Sequence, residues 1–290
     1  MLLKQKIHQL LPISIAELQG EKHIPQIYVT ISLQRSGQHA IINWLCHQIQ
    51  SIVHFNNCDL IRKNLSISPI SRNQKIISYV NQNQKEAIGN KTYIGNDFSL
   101  IRNELKQAKN LLYSFEDFSL NHNFLKKMTK FSNVKVVFIL RDPYNCFASS
   151  LKRRERLSGL DINRNLDINK KKALFITYLE QTLNIKDYLH VPIVAIDYTK
   201  WLTSINYRSS ILTQLDIPWS SEADSYSLKE VQSFGGGSSF SGTNIDAEYL
   251  HSQVLQRWHE YKDDPEYREL LSDEYLLQLS DGFFDIRKPF

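Results

Sequence analysis

Apolar positions along the chain fall into short runs divided by polar stretches. Ile27-Tyr-Val-Thr-Ile-Ser-Leu33, Val134-Lys-Val-Val-Phe-Ile-Leu140 and Pro192-Ile-Val-Ala-Ile196 read as buried strands, with Leu111-Leu-Tyr-Ser-Phe115 a weaker candidate. Near-continuous apolar runs of this length suit strands covered on both faces, as in a parallel sheet. Helical spacing follows the first strand at Ile41, Ile42, Leu45 and Ile49, and the second at Tyr144, Phe147, Ala148 and Leu151. A further helix is expected from Asn169 to Leu189, and others within Ala247 to Leu279. This alternation predicts an α/β fold, a three-layer sandwich around a mostly parallel central sheet.

Two stretches interrupt the pattern. Residues 56–98 are rich in Asn, Gln, Lys and Ser and read as a variable polar insertion. Residues 233–244, SFGGGSSFSGTN, form a flexible loop whose composition suits either a mobile lid or a plain linker. The first 25 residues read as a leader. Lys4, Lys6 and His8 interrupt any secretory apolar core there. The remainder is expected to form one domain, since 290 residues can bury a single large core.

Composition narrows the function classes. No apolar run approaches the roughly 20 residues that span a bilayer. Three scattered cysteines, Cys46, Cys58 and Cys146, cannot make a disulfide framework and favour a reducing cytoplasm. The formal charge of +5 fits an anionic ligand but is too small to indicate nucleic-acid binding. Cys46, His47, His54 and Cys58 match no familiar zinc spacing, so no metal is expected.

The chemistry concentrates at two strand–turn–helix junctions. In Leu33-Gln-Arg-Ser-Gly-Gln-His39 a strand gives way to a tight turn and then a helix. Gly37, lacking a Cβ, allows close backbone approach, and the helix offers unpaired N–H groups to an anion. Arg35, Ser36, Gln38 and His39 add donors. The sequence is not a Walker A motif, because the first glycine and the Lys-Ser/Thr end are missing. In the second junction Arg141 ends a strand, Asp142 suits an N-cap and Pro143 the first helical position. Ser149, Lys152, Arg153 and Arg156 then share one helix face, read either as a solvated surface or as part of an anion site.

Taken together, the two junctions resemble the donor-binding motifs of the sulfotransferase family, whose fold is P-loop NTPase-like. Leu33–His39 resembles the family's 5′-phosphosulfate loop. Arg141-Asp-Pro, with Ser149 eight positions on, resembles its 3′-phosphate motif. Val194-Ala-Ile-Asp-Tyr198 is similar to a family strand ending in a tyrosine near the adenine. The resemblance implies 3′-phosphoadenosine-5′-phosphosulfate as donor and an acceptor bearing a hydroxyl. It assigns Arg35, Ser36, Gly37, Gln38, His39, Arg141, Ser149 and Tyr198 to donor binding. The chain departs from the family in having Arg35 where lysine is usual, Ala40 where an aromatic often follows the loop, and no Arg-Lys-Gly closing segment.

Sulfuryl transfer needs charge neutralisation and a proton acceptor. Arg35 would supply the first. Glu116, in Tyr113-Ser-Phe-Glu-Asp-Phe118, is the candidate general base, with Asp117, His122, His54 and His39 as competitors and helix capping as its plain alternative. A P-loop phosphotransferase and a non-catalytic nucleotide-binding protein remain the other readings. Acceptor identity and oligomeric state are not legible.

Overall fold

The computed structural model describes residues 25–49, 51–58, 75–78, 91–94, 107–121, 133–157, 167–229 and 254–284. The segments expected to be the leader, the 233–244 loop and most of the polar insertion lie outside these.

Seven strands form one sheet: β1 (Gln26–Ser32), β2 (Ile52–Asn56), β3 (Lys75–Ser78), β4 (Lys91–Ile94), β5 (Asn110–Glu116), β6 (Val134–Leu140) and β7 (Ile193–Asp197). Their order is β4-β3-β2-β5-β1-β6-β7. The five strands from β2 to β7 in that order pair in parallel, and β3 and β4 extend the edge antiparallel. The fold is therefore an α/β sandwich with a mostly parallel sheet. The strand read as weakest, β5, is central and buried along its length.

Alternation along the strands divides the core in two. Ile27, Val29 and Ile31 of β1, with Val136, Phe138 and Leu140 of β6, pack against α2 (Pro143–Leu157) and α3 (Ile168–Thr182). Tyr28, Val137 and Ile139 face the other way, against α1 (Gln38–Gln48), α4 (Tyr198–Thr203) and α5 (Ile205–Gln214). The helix that follows β1 thus covers one face and the helix that follows β6 the other. Because β1 and β6 are neighbours, a crevice opens between their C-terminal ends, where open α/β sheets place ligands.

The first face is completed by α7 (Pro265–Leu270) and α8 (Glu274–Phe284). On the second, α6 (Ser221–Lys229) is tied down by Asp224, which accepts from Arg208 Nε at 2.7 Å, Arg208 Nη2 at 2.9 Å and Trp44 Nε1 at 2.8 Å. Helix α3 stops earlier than its apolar spacing predicts. Leu183 caps it, and Asn184 takes a left-handed φ of 56° that α-helix cannot continue.

No helix among the described residues is long and apolar enough to cross a membrane.

Strand β2 has no counterpart in the sequence reading. Its run IVHFN carries a histidine and an asparagine, yet every residue is buried. His54 Nε2 lies 3.0 Å from Ser114 Oγ, and burial pulls its pKa down to about 3. The native state therefore refuses a proton that the unfolded chain accepts below about 6.5. Stability from this group is complete above pH 6.5 and lost as pH falls from 6.5 toward 3. Urea titrations of wild type and His54→Gln at pH 7 and pH 4.5 should show this selectively. Wild type should lose about 2–3 kcal/mol more than the variant over that interval; parallel losses would contradict it. Separately, Arg208→Ala strands the Asp224 carboxylate and should cost about 3–5 kcal/mol in the same assay.

Candidate functional site

Register alone brings the singled-out residues together. Ser32 of β1 pairs with Glu116 of β5 on one side and Ile139 of β6 on the other, and Leu140 of β6 pairs with Asp197 of β7. Glu116, the Arg35 turn, Arg141 and Tyr198 therefore stand along one sheet edge, in the strand order β5, β1, β6, β7.

The turn after β1 is held in an unusual shape. Arg35 has φ 76° and Gly37 φ 85°, both left-handed. For the arginine this costs about 1–2 kcal/mol. Ser36 N–H donates to Leu33 O at 3.1 Å, and Ser36 Oγ is buried with no hydrogen-bond partner among the described residues. Gly37 caps α1 and has no side chain to satisfy the helix's first N–H groups, and the first turn carries no acid. By contrast α3, α4, α5 and α7 are capped by the side chains of Asp167, Asp197, Ser204 and Asp264. The N-terminus of α1 is thus left open to an anion.

Beside it, guanidinium groups converge. Arg35 Nε donates to Ser149 Oγ at 3.2 Å, and Arg257 Nη1 donates to the same oxygen at 3.1 Å. Arg141 is buried, donates to Val254 O, and lies with Cζ 5.4 Å from the centroid of the Tyr198 ring. Its Nε has no hydrogen-bond partner among the described residues. Burial, then Arg153 and Arg141, pull the Arg35 pKa down to about 10, outweighing nearby Glu116. Burial, then Arg141 with a lesser share from Arg35, pulls Arg257 down to about 9 despite Tyr198 and Glu260. Both remain protonated at neutral pH. An anion among them would relieve both the desolvation and the mutual repulsion.

Arg257 was missed by the sequence reading, which looked for an Arg-Lys-Gly segment nearby. What identifies it is a bond network. Asn145 on α2 accepts from Arg257 N–H at 2.8 Å and donates to Leu255 O at 3.0 Å, stitching that segment along the helix. Asp142 caps the same helix by accepting from Asn145 N–H at 2.8 Å.

On the other flank Glu116 is partly buried and bonded to neutral partners. Gln38 Nε2 donates to Glu116 Oε1, and Asn57 Nδ2 to Oε2 at 3.2 Å. Burial, then the adjacent Asp117, raise its pKa, opposed by Gln38 and Lys171. Glu116 ends β5 and caps no helix among the described residues.

The remaining candidates separate. The Gln38 side chain is turned toward Ser32, Asn57 and Glu116. His39 lies toward His54, whose protonation it further disfavours. Asp117 holds Gln34 N–H at 2.9 Å. His54 is sealed in β2, and His122 lies outside the described residues. On α2 the expected apolar stripe is buried, but so is Ser149, while Lys152 and Arg154 pair with Glu260 and Glu266. Cys46, Cys58 and Cys146 are buried and joined by no disulfide among the described residues, where no three potential metal ligands gather either.

No family model matches the chain, and no curated protein matches its sequence. Among solved structures it is similar to a sulfotransferase domain from the curacin biosynthetic pathway, at 13% identity and TM-score 0.46, covering 87% of this chain and 98% of that one. It is also similar to mouse sulfotransferase SULT7A1 complexed with PAP, at 12% identity and TM-score 0.47, covering 97% of this chain and 92% of that one. At such distances similarity assigns no residue a role.

The closeness of Gly37 and Tyr198 is directly testable. A Cβ on Gly37 would sit 2.3 Å from Tyr198 Cε2, at a φ that side chains rarely adopt. Gly37→Ala should therefore destabilise the protein by about 2–4 kcal/mol, steric and backbone costs together. Adding Tyr198→Ala should recover only the steric share, measured by urea denaturation. A neutral Gly37→Ala would mean that this packing is absent in solution.

Proposed function

We propose that this chain is a cytoplasmic sulfotransferase moving the sulfuryl group of 3′-phosphoadenosine-5′-phosphosulfate to an acceptor hydroxyl. The observation that carries the reading is the cationic cluster of half-buried Arg35 with buried Arg141 and Arg257 around Ser149, at the adjacent ends of β1 and β6. Two anion loci sit there side by side: the Arg35–Gly37 turn on the N-terminus of α1, and Arg141 with Ser149 and Arg257. The donor has two separate anionic groups, one for each locus.

The residues fit that donor. Ser36 Oγ and Arg141 Nε are buried polar atoms without partners among the described residues, and Gly37 lets the Tyr198 ring close against the turn. Arg35, Ser36 and Gly37 hold the phosphosulfate side. Gln38 and His39 contribute backbone N–H groups, since their side chains are turned elsewhere. Arg141, Ser149 and Arg257 hold the 3′-phosphate, and Tyr198 walls the nucleotide at the end of β7. The donor, when bound, supplies the sulfuryl group. Arg35 neutralises charge that develops on the bridging oxygen as the sulfur–oxygen bond breaks. It cannot protonate the leaving group and need not, because a phosphate with a second pKa of about 6 departs unprotonated. Glu116 accepts the acceptor's hydroxyl proton as the new oxygen–sulfur bond forms. Its raised pKa strengthens it as a base but delays its ionisation, so turnover should fail on the acid side at a pH above the ordinary carboxylate range. No resident metal is invoked.

Calorimetric titration tests donor recognition first. Adenosine 3′,5′-bisphosphate should bind at micromolar Kd, and Arg141→Ala should weaken it at least about tenfold, or 1.4 kcal/mol. ATP and 5′-AMP should bind more weakly; no preference for the 3′-phosphate would overturn the reading in favour of a phosphotransferase. Across an acceptor panel, Arg35→Ala should lower turnover by about 10² to 10³ with the circular-dichroism spectrum unchanged. Glu116→Gln should lower it by about 10² to 10⁴. Tight bisphosphate binding without wild-type turnover would instead indicate a binding protein.

A further inference from the structure

Gln34, the residue before Arg35, is gripped from two sides. Its N–H donates to Asp117 Oδ1 at 2.9 Å, at the end of β5. Its carbonyl accepts from the ammonium of Lys171, on the first turn of α3. Lys171 is 4% exposed and also donates to Ser150 Oγ at 2.6 Å. Asp117 is itself fixed, its N–H donating to Ser32 O at 2.9 Å. Just beyond this grip Arg35 stands at φ 76°, a conformation that a free chain with a branched-off side chain largely avoids. Such a residue persists only where its surroundings over-determine it.

We infer that Lys171 is a positioning residue, the α3 half of a clamp on Gln34 that holds Arg35 in its left-handed conformation and so aims the guanidinium at Ser149. Burying an ammonium is costly, and a structural role alone is met more cheaply by an apolar side chain. What the charge adds is a strong donor to a backbone carbonyl that no helix or strand satisfies. The ammonium also lies close enough to oppose the raising of the Glu116 pKa. Arg35 and Glu116 thus share a neighbour that touches neither the leaving group nor the acceptor. The clamp stands on geometry alone; its consequence for donor binding rests on the sulfotransferase reading.

Amide hydrogen exchange of the ligand-free protein separates the two. In Lys171→Met, exchange at the Gln34 and Ser36 amides should rise at least about tenfold while β5 and β6 stay protected. Lys171→Arg, which keeps charge and donors, should return it toward wild type. Ser150→Ala, which removes only the other bond of the ammonium, should stay within about threefold. The same variants titrated with adenosine 3′,5′-bisphosphate should rank identically in affinity. Wild-type exchange at Gln34 and Ser36 in Lys171→Met would overturn the clamp, as would a rise spread evenly over the sheet. A wild type that binds no bisphosphate would overturn the functional reading and leave the exchange result to decide the clamp.

Discussion

Keeping several guanidinium groups out of water and close together is the constraint around which this site is built. Arg35 and Arg257 donate to one hydroxyl oxygen, and Arg141 is near enough to weaken the proton affinity of both. In isolation such an arrangement is unfavourable: charges lose hydration and repel through a medium of low dielectric. It survives because each arginine is delivered by a different element of the fold. Arg35 follows β1, Arg141 follows β6, and Arg257 opens a 3₁₀ turn bound to α2. The parallel pairing of β1 with β6 leaves the first two no way to separate. The sheet holds the unfavourable charge, which a bound anion would discharge.

The backbone around the cluster shows the same economy. Arg35, Asn57 and Asp117 all take left-handed φ values, and they follow β1, β2 and β5 respectively. Asn and Asp tolerate that conformation readily; arginine does not. Each turn is braced by side chains from elsewhere: Asn57 N–H by Ser114 Oγ at 2.9 Å, Phe118 N–H by Tyr178 Oη at 2.8 Å, Gln34 by Asp117 and the Lys171 ammonium. Ser114, Tyr178 and Lys171 are buried braces, so removing one costs more than its bond, because the partner is left without water.

Local pattern made much of this legible. The strand runs at Ile27 and Val134 and the Asp142–Pro143 helix start are readable because they rest on neighbouring residues alone. The need for a glycine in the turn was legible too, but not that the Tyr198 ring fills the space of its missing Cβ. Strand β2 was not readable, since His54 and Asn56 break its apolar run and their burial is made tolerable only by Ser114 and its surroundings across the sheet. The same holds for Arg257 and Lys171. Neither sits in a local motif, and both reach the site through bonds spanning more than a hundred residues of chain. A sequence shows what its own neighbourhood demands; a polar residue recruited by tertiary contact looks like any surface charge until the fold is known.

The coupling between the two flanks follows from one amide. Gln38 sits on the first turn of α1, where it receives the Ser32 hydroxyl and donates to both Asn57 and Glu116. Its backbone opens α1 beside the Arg35 turn, and its side chain reaches the candidate base. Any movement of α1's N-terminus toward an anion therefore shifts the hydrogen bonds that hold Glu116. Loss of those bonds would further favour the protonated carboxyl, since Gln38 is the leading hydrogen-bonding contribution opposing burial. The N-terminus of α1 and Glu116 are thus joined through the buried Gln38 amide, a neutral group. In a cluster already crowded with cations, an amide transmits position without adding to the repulsion.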